Sequence, residues 1–159
     1  MIVAFTGIRD LGKGDEDAIG RGVFALLARG VTSMRFGGAR GADTVALEAA
    51  GDAPIERVVV VPYQVADQPW VAQQAIKRHA TRVIELGYTP GDKKAYHIRN
   101  GWLVLGGEEL DEPAALVLAA TDGRTFGGTA STIRMTKVAK IDIEIIPVQG
   151  DARRMKGRR

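Results

Sequence analysis

Short apolar runs recur along the chain and predict the strands of a buried sheet. The clearest run is Val58 to Val61, four consecutive valines followed by Pro62. Runs that are apolar at every position are typical of strands covered on both faces, as in a parallel sheet. We therefore expect strands at residues 2–6, 32–36, 56–62, 82–86, 114–120 and 141–148.

Segments with helical periodicity lie between these runs. In the first of them, Ile19, Val23 and Leu27 recur four residues apart and share one face with Phe24. Asp67 is expected to cap a later helix that continues through residue 69, because aspartate accepts hydrogen bonds from the first free amides of a helix. The pattern predicts helices at residues 15–28, 42–50, 67–78, 94–105 and 129–140.

The alternation of strands and helices predicts an α/β fold. A doubly wound, mostly parallel sheet with helices on both faces is the architecture that suits it, in three layers and Rossmann-like. Such sheets bind ligands at the carboxyl ends of strands, where the strand order reverses. A strand order of 3-2-1-4-5 would place the loop after residues 2–6 and the loop after residues 114–120 at that point.

The composition fits a single domain over residues 1–150. The chain has 159 residues, of which 45% are hydrophobic and 26% charged, and it contains no cysteine. The lack of cysteine excludes disulfides and thiolate chemistry and suits a reducing compartment. No apolar run reaches the roughly 20 residues of a membrane span, and no signal-peptide pattern is present. A cytoplasmic protein is therefore expected.

The net charge of +3 is concentrated at the C-terminus. Residues 153–159 hold five basic side chains and no acidic one, and the rest of the chain holds 17 basic against 19 acidic residues. The body of the chain therefore lacks the basic excess that is typical of nucleic-acid-binding domains. We expect residues 151–159 to be a disordered basic tail, with phosphate contact by this tail as the alternative.

Glycine-rich loops follow three of the predicted strands: TGIRD at 6–10, GGARGAD at 37–43 and DGRTFGGTASTIRM at 122–135. Glycine lets a backbone approach a ligand closely, and the helices after the second and third loops offer free amides to an anion. In the predicted strand order the three loops meet at one crevice. The candidate ligand contacts in them are Thr6, Gly7, Arg9, Gly37, Gly38, Arg40, Gly41, Asp43, Asp122, Arg124, Gly127, Gly128, Thr129 and Ser131.

These loops match neither G-x-G-x-x-G nor the P-loop pattern, which disfavours a standard NAD site or a kinase-type ATP site. In the third loop, Thr129 and Ser131 follow two glycines without a lysine, an arrangement that suits a monophosphate or diphosphate at a helix start. His79 and His97 have no cysteine partners and no paired metal-binding spacing, so no metal site is expected.

The motifs TGIRD, GGARGADTVALEAA, HIRN at 97–100 and FGGTASTIRM, in this order, resemble the SLOG superfamily over about residues 1–148. They are most similar to its YspA-like, YpsA-related branch of bacteria and phages. GGARGAD and the pair Arg99 and Asn100 also resemble the DNA-processing protein DprA. The resemblance implies a Rossmann-like domain that binds a nucleotide or nucleotide-derived ligand, requires no cofactor and forms a homodimer, with residues 97–107 as the candidate interface. It adds Arg99 and Asn100 to the ligand contacts.

The third loop also resembles the PGGxGTxxE motif of the LOG phosphoribohydrolases, with a departure at the catalytic position. Gly127 and Gly128 match the glycine pair, Ala130 and Ser131 replace the next glycine and threonine, and Arg134 replaces the glutamate. An arginine would repel the cationic transition state of N-glycoside cleavage and would suit an additional phosphate. Carboxylates that keep hydrolysis open are Asp43, Glu48 and Asp122, of which the first two are the catalytic candidates.

The leading hypothesis is a protein that binds a nucleotide-like phosphate ligand in order to sense or sequester it. A LOG-like nucleotide N-glycosidase is one alternative. A DprA-like binder of single-stranded nucleic acid, helped by the basic tail, is the other.

Overall fold

The computed structural model describes residues 1–151, and the predicted tail beyond them lies outside the described residues. Within this range six strands and five α-helices alternate, and none of these helices is long and apolar enough to cross a membrane. The strands are β1 Ile2–Gly7, β2 Ser33–Phe36, β3 Glu56–Val61, β4 Arg82–Glu85, β5 Leu116–Thr121 and β6 Asp142–Pro147. The helices are α1 Asp15–Leu27, α2 Ala42–Ala50, α3 Trp70–His79, α4 Lys93–Leu105 and α5 Gly128–Val138.

The strands form one parallel sheet in the order β4-β3-β2-β1-β5-β6. Helices α1, α2 and α3 pack on one face, and α4 and α5 cover the other. This confirms the predicted Rossmann-like, three-layer α/β fold. The order 3-2-1-4-5 considered from the sequence differs in one respect: the fourth strand, β4, pairs outside β3, and β5 takes the place beside β1. The order reverses between β1 and β5.

Side chains of each strand alternate between two apolar layers. In β3, Val59 and Val61 belong to the apolar layer on the face covered by α1, α2 and α3, while Val58 and Val60 belong to the layer on the face covered by α4 and α5. All four valines are fully buried. The continuous apolar run that predicted a two-sided strand therefore has its physical basis in burial on both faces.

The predicted start of the third helix is wrong. Asp67 lies in a separate 3-10 turn, Val65–Asp67, where its carboxylate accepts a hydrogen bond from the Gln64 amide at 3.1 Å. Gln68 is extended (φ −79°, ψ 157°), as a residue before proline prefers to be, so helix α3 begins only after Pro69. The other element boundaries agree with the sequence prediction within two residues.

A buried carboxylate in the first turn of α1 joins distant parts of the chain. Asp15 is 2% exposed. It accepts hydrogen bonds from the amides of Gly12 at 2.7 Å, Gln149 at 2.8 Å and Gly150 at 2.9 Å. These charge-assisted bonds offset the cost of burying the carboxylate. Asp15 thereby fixes the segment after β6 against the loop after β1.

Substitution Asp15→Ala is expected to lower the free energy of unfolding by roughly 2 to 4 kcal/mol, because three amides lose their acceptor. Asp17→Ala is the matched control, since Asp17 lies in the same first turn but is exposed. Its loss is expected to cost about 0.5 kcal/mol. Urea unfolding of both variants measures the difference. Equal losses would show that the helix dipole, and not the three amides, accounts for the role of Asp15.

Candidate functional site

A cavity of about 390 Å³ opens at the carboxyl ends of β1, β2 and β5. β1 and β5 are the neighbouring strands between which the order reverses, where open α/β sheets bind their ligands. The walls of the cavity are formed by helix α4, the start of α5 and the three loops that follow β1, β2 and β5. We call these the β1 loop (residues 8–14), the β2 loop (residues 37–41) and the β5 loop (residues 122–127).

Most of the candidate contacts lie together at this cavity, so the predicted convergence of the three glycine-rich loops is found in the structure. Their contact with a ligand stays a prediction. The candidates that line the cavity are Thr6, Gly7, Arg9, Gly37, Arg40, Asp43, Arg99, Asn100, Arg124, Gly127, Gly128 and Thr129.

Other candidates lie outside the lining. Gly38 packs against the side chains of Val59 and Val61. The amide of Ser131 closes the first turn of α5 by donating to the Gly127 carbonyl at 3.0 Å. Glu48 is exposed near the end of α2, so of the two catalytic candidates only Asp43 reaches the cavity. Gly41 and Asp122 have structural contacts that are described below.

The β2 loop folds around a carboxylate of its own chain. Asp43 is buried in the first turn of α2 and accepts a hydrogen bond from the Ala39 amide at 3.2 Å. Burial raises the pKa of Asp43, and the positive charge of Arg99 opposes that rise. The amide of Ala42 donates to the Ile8 carbonyl at 3.0 Å. Helix α2 thus presents a carboxylate to the cavity, where the sequence predicts free amides.

The start of α5 differs from that of α2, because its first turn contains no acidic residue. Its N-cap, Gly127, has a φ of 94°, and no side chain caps the helix. A side chain at Gly127 or Gly128 would meet nothing within 4 Å, so the backbone here is open. Since the first amides of a helix lack acceptors within it, the start of α5 has the properties of an anion-binding helix terminus.

Arg99 is a buried arginine that holds the β2 loop to helix α4. It donates to the Gly37 carbonyl and, from Nε, to the Asn100 side-chain oxygen at 2.8 Å. Burial lowers the pKa of Arg99, and the Asp43 carboxylate opposes this shift. A side chain at Gly37 would collide with the Arg99 guanidinium, which explains why glycine suits this position.

Two further arginines of the cavity are paired with carboxylates. Arg40 donates to Asp10 at 2.8 Å. Arg124 binds both oxygens of Asp122, at distances from 2.5 to 3.0 Å. The contact lowers the pKa of Asp122 and raises that of Arg124. Asp122 therefore positions Arg124 and does not itself line the cavity.

Arg9 is held differently from the other three arginines that line the cavity. Its side chain forms no hydrogen bond or ion pair within residues 1–151. Its guanidinium lies over the ring of Tyr96, 5.2 Å from the centroid, and Arg99 lies 5.7 Å from the same centroid. A cation–π contact uses none of the N–H donors of arginine. The donors of Arg9 are therefore available to an anion in the cavity.

Sequence reasoning missed two aromatic residues of the lining, Tyr96 and Phe126. Tyr96 also packs edge-on against Tyr63, with ring centroids 5.6 Å apart. Tyr96 directly precedes the HIRN motif, and Phe126 is the first residue of FGGTASTIRM. Their place at a motif was the available signal. Neither residue was predicted as a contact because glycines, hydroxyls and cations are the groups that bind phosphate.

Arg134, His97 and His79 lie away from the cavity lining. Arg134 is exposed on α5 and donates to the Thr125 carbonyl at 2.9 Å, and His97 is exposed on α4. His79 is half-buried, and its Nδ1 has no hydrogen-bond partner among the described residues. No group of three or more acidic or histidine side chains that could hold a metal occurs within residues 1–151.

Structural comparison relates the fold to known proteins. DNA processing protein A from Helicobacter pylori, which binds single-stranded DNA, matches 91% of the chain with a TM-score of 0.70 and 18% identity. The Streptococcus pneumoniae protein of the same name matches 94% with a TM-score of 0.69 and 19% identity. The Moco carrier protein of Chlamydomonas, matched over 80% of its own length, covers 98% of the chain with a TM-score of 0.58 and 12% identity.

These similarities establish a shared Rossmann-like fold. The chain spans 64% of the Helicobacter protein and 50% of the Streptococcus protein. No protein-family model matches the chain, and no curated protein matches it in sequence.

Gly41 allows the β1 loop to touch the start of α2. Its conformation (φ 80°, ψ −126°) is one that glycine alone adopts readily. A side chain at Gly41 would overlap the backbone carbonyl of Arg9, and that carbonyl accepts a hydrogen bond from Arg40 at 3.2 Å. Gly41 thus determines how close Arg9 comes to the β2 loop.

Gly41→Ala is expected to lower the free energy of unfolding by more than about 3 kcal/mol, since it combines backbone strain with a steric clash. Gly14→Ala is the control, because Gly14 also caps a helix at positive φ (83°) but has open space around it. That substitution is expected to cost about 1 kcal/mol. Denaturant unfolding measures both. Similar losses would contradict the close contact with Arg9.

Proposed function

We propose that this chain binds a nucleotide or nucleotide-derived phosphate ligand in the cavity and senses or sequesters it. The observation that carries the proposal is the start of α5. It is open and free of acidic side chains, and it borders the same cavity as Arg9, whose donors are not used within residues 1–151. A helix terminus and an available guanidinium at one cavity are the groups that bind phosphate in proteins.

The other walls of the cavity suit the rest of such a ligand. Its volume of about 390 Å³ falls in the range of small-molecule sites. Four arginines line it, and three carboxylates oppose them, namely Asp10 and Asp43 in the lining and Asp122 bound to Arg124. The remaining positive charge favours an anion. Tyr96 and Phe126 add apolar surface that inorganic phosphate would not use.

We further propose that the ligand is bound and not cleaved. Arg134 stands where the LOG motif has its glutamate, and it is exposed outside the cavity lining. Of the two catalytic candidates, Asp43 and Glu48, Asp43 is the one that lines the cavity. It is occupied by the Ala39 amide and lies in the field of Arg99, which supports a structural role.

Nucleoside monophosphates, cyclic nucleotides and ADP-ribose are expected to raise the midpoint of thermal unfolding. A ligand at about 100 times its Kd stabilises a protein by about 2.7 kcal/mol. Arg9→Ala should weaken the binding of a responding ligand about tenfold or more, because a charge-assisted contact is lost. Calorimetry measures the affinity, and chromatography of the same mixtures should show no released base.

Arg21→Ala is the control for charge, since Arg21 is an exposed arginine on α1 outside the cavity lining. It should leave the affinity unchanged. If no nucleotide at millimolar concentration shifts the midpoint of the folded protein, the proposed function is contradicted. Base release would instead favour the N-glycosidase alternative.

The proposal includes membership in the YspA-like branch of the SLOG superfamily, one domain over residues 1–150, a cytoplasmic location and a homodimer. The similarity of the β1, β2 and β5 loops to SLOG motifs supports the branch. For the interface we propose the exposed part of α4, where His97 and Leu105 lie on the surface, while Arg99, Leu103 and Val104 are buried in the fold.

Binding of single-stranded nucleic acid is the second candidate. The observation in its favour is the structural similarity to the DNA processing protein of Helicobacter, which binds single-stranded DNA. The chain would then hold phosphates of a strand along Arg9 and the neighbouring cavity, with the basic tail as a further contact.

This second candidate predicts that affinity for a labelled single-stranded oligonucleotide falls between roughly 50 and 200 mM salt, with a slope of about −0.7 per phosphate contacted. Arg9→Ala should reduce the slope by about 0.7, and Arg21→Ala should not change it. Fluorescence anisotropy with the full chain measures both slopes. An affinity that is insensitive to Arg9→Ala would assign any binding to residues outside the cavity.

A further inference from the structure

Phe126 is an aromatic residue on the rim of the cavity with most of its surface exposed. It is 54% exposed although it belongs to the cavity lining. It lies in the β5 loop two residues before Gly128, the first residue of α5. Two peptide units span at most about 7.6 Å between Cα atoms, so the backbone of Phe126 lies close to the open helix start, and both line the same cavity.

The side chains around Phe126 leave part of its ring accessible to a planar group of a ligand. The guanidinium of Arg124 lies over the ring at 5.6 Å from the centroid. Asp122 binds Arg124 through both carboxylate oxygens, and the side chains of Asp122 and Arg124 are only 4% and 17% exposed. Arg124 is therefore held in place beside a ring that still has free surface. Arginine and aromatic side chains in this combination are common in sites that stack nucleic acid bases.

The other aromatic residues are less suited to this role. The ring of Tyr96 is already in contact with Arg9, Arg99 and Tyr63. Trp70 and Phe24 are more exposed than Phe126, but neither lines the cavity.

We infer that Phe126 is the stacking surface for the base of the bound ligand, and that it makes the site selective for a nucleotide over a sugar phosphate without a base. This inference rests on the proposed function, because it takes the phosphate to be held at the start of α5. A base linked through one sugar to that phosphate reaches a ring two residues away. The contact buries apolar surface that is otherwise exposed to water.

The test compares two probes, adenosine 5′-monophosphate and ribose 5-phosphate, in calorimetric titrations of the full chain. Phe126→Ala should weaken binding of the nucleotide by roughly 5- to 150-fold, the range for loss of one base–aromatic stack. Ribose 5-phosphate should bind the variant as it binds the unchanged protein. Phe126→Trp should retain nucleotide affinity. Phe126→Leu, which keeps apolar volume but has no ring, should lose most of it.

Phe24→Ala is the matched control, since Phe24 is an exposed phenylalanine on α1 (60% exposed) that does not line the cavity. It should leave both affinities unchanged. An unfolding midpoint for each variant, measured without ligand, shows whether the fold is intact.

Failure of the inference is distinct from failure of the proposed function. If the unchanged protein binds neither probe and no other nucleotide shifts its unfolding midpoint, the proposed function fails and the inference fails with it. If the protein binds both probes and Phe126→Ala weakens them equally or not at all, the inference alone is overturned. The same holds if Phe126→Ala changes only the mass of the unliganded protein in sedimentation, because the ring then serves contact between protein copies.

Discussion

Buried carboxylates organise the loops on which the cavity depends. Asp15 accepts hydrogen bonds from three backbone amides in the segments before α1 and after β6. Asp43 accepts a hydrogen bond from the Ala39 amide of the β2 loop, and Asp122 binds Arg124 in the β5 loop. A carboxylate taken out of water must find such partners or lose stability. Each loop therefore has one arrangement that satisfies its own charge, and these arrangements give the cavity its shape before any ligand binds.

Internal pairing also decides which positive groups remain for a ligand. Arg40 and Arg124 are paired with carboxylates, and Arg99 is fixed to the Gly37 carbonyl. The start of α2 carries Asp43, whereas the start of α5 carries no acidic side chain. Of the many cations and glycines near the cavity, Arg9 and the start of α5 are thus the groups best able to respond to an anion. A count of arginines alone would overstate the positive charge that is available to a ligand.

The sequence predicts the sheet and its helices well because their apolar periodicity is strong. The valines of β3 are buried on both faces, as an uninterrupted apolar run requires. The prediction that Asp67 caps α3 is wrong because its side chain caps a 3-10 turn instead, and Pro69 separates that turn from α3. The meeting of the three loops at one cavity can be predicted, because glycines follow three strands whose carboxyl ends lie at the same edge of the sheet. The pairing of each carboxylate with its donor depends on how the loops pack against one another. The structural roles of Asp43 and Asp122 therefore cannot be predicted from the fact that both are aspartates.

The fold and the chemistry of the site have different origins in this chain. The Rossmann-like sheet, shared with proteins at 12 to 19% identity, places a crevice at the reversal of strand order whatever the loops contain. In the proposed site, selectivity would then depend on single residues around this crevice. On α5, Arg134 stands where the LOG motif has its glutamate, and in the β5 loop Phe126 adds an exposed ring beside the helix start. If the start of α5 and Arg9 hold a phosphate, as proposed, the exposed ring of Phe126 lies at the same rim, where a flat group attached to that phosphate could stack on it.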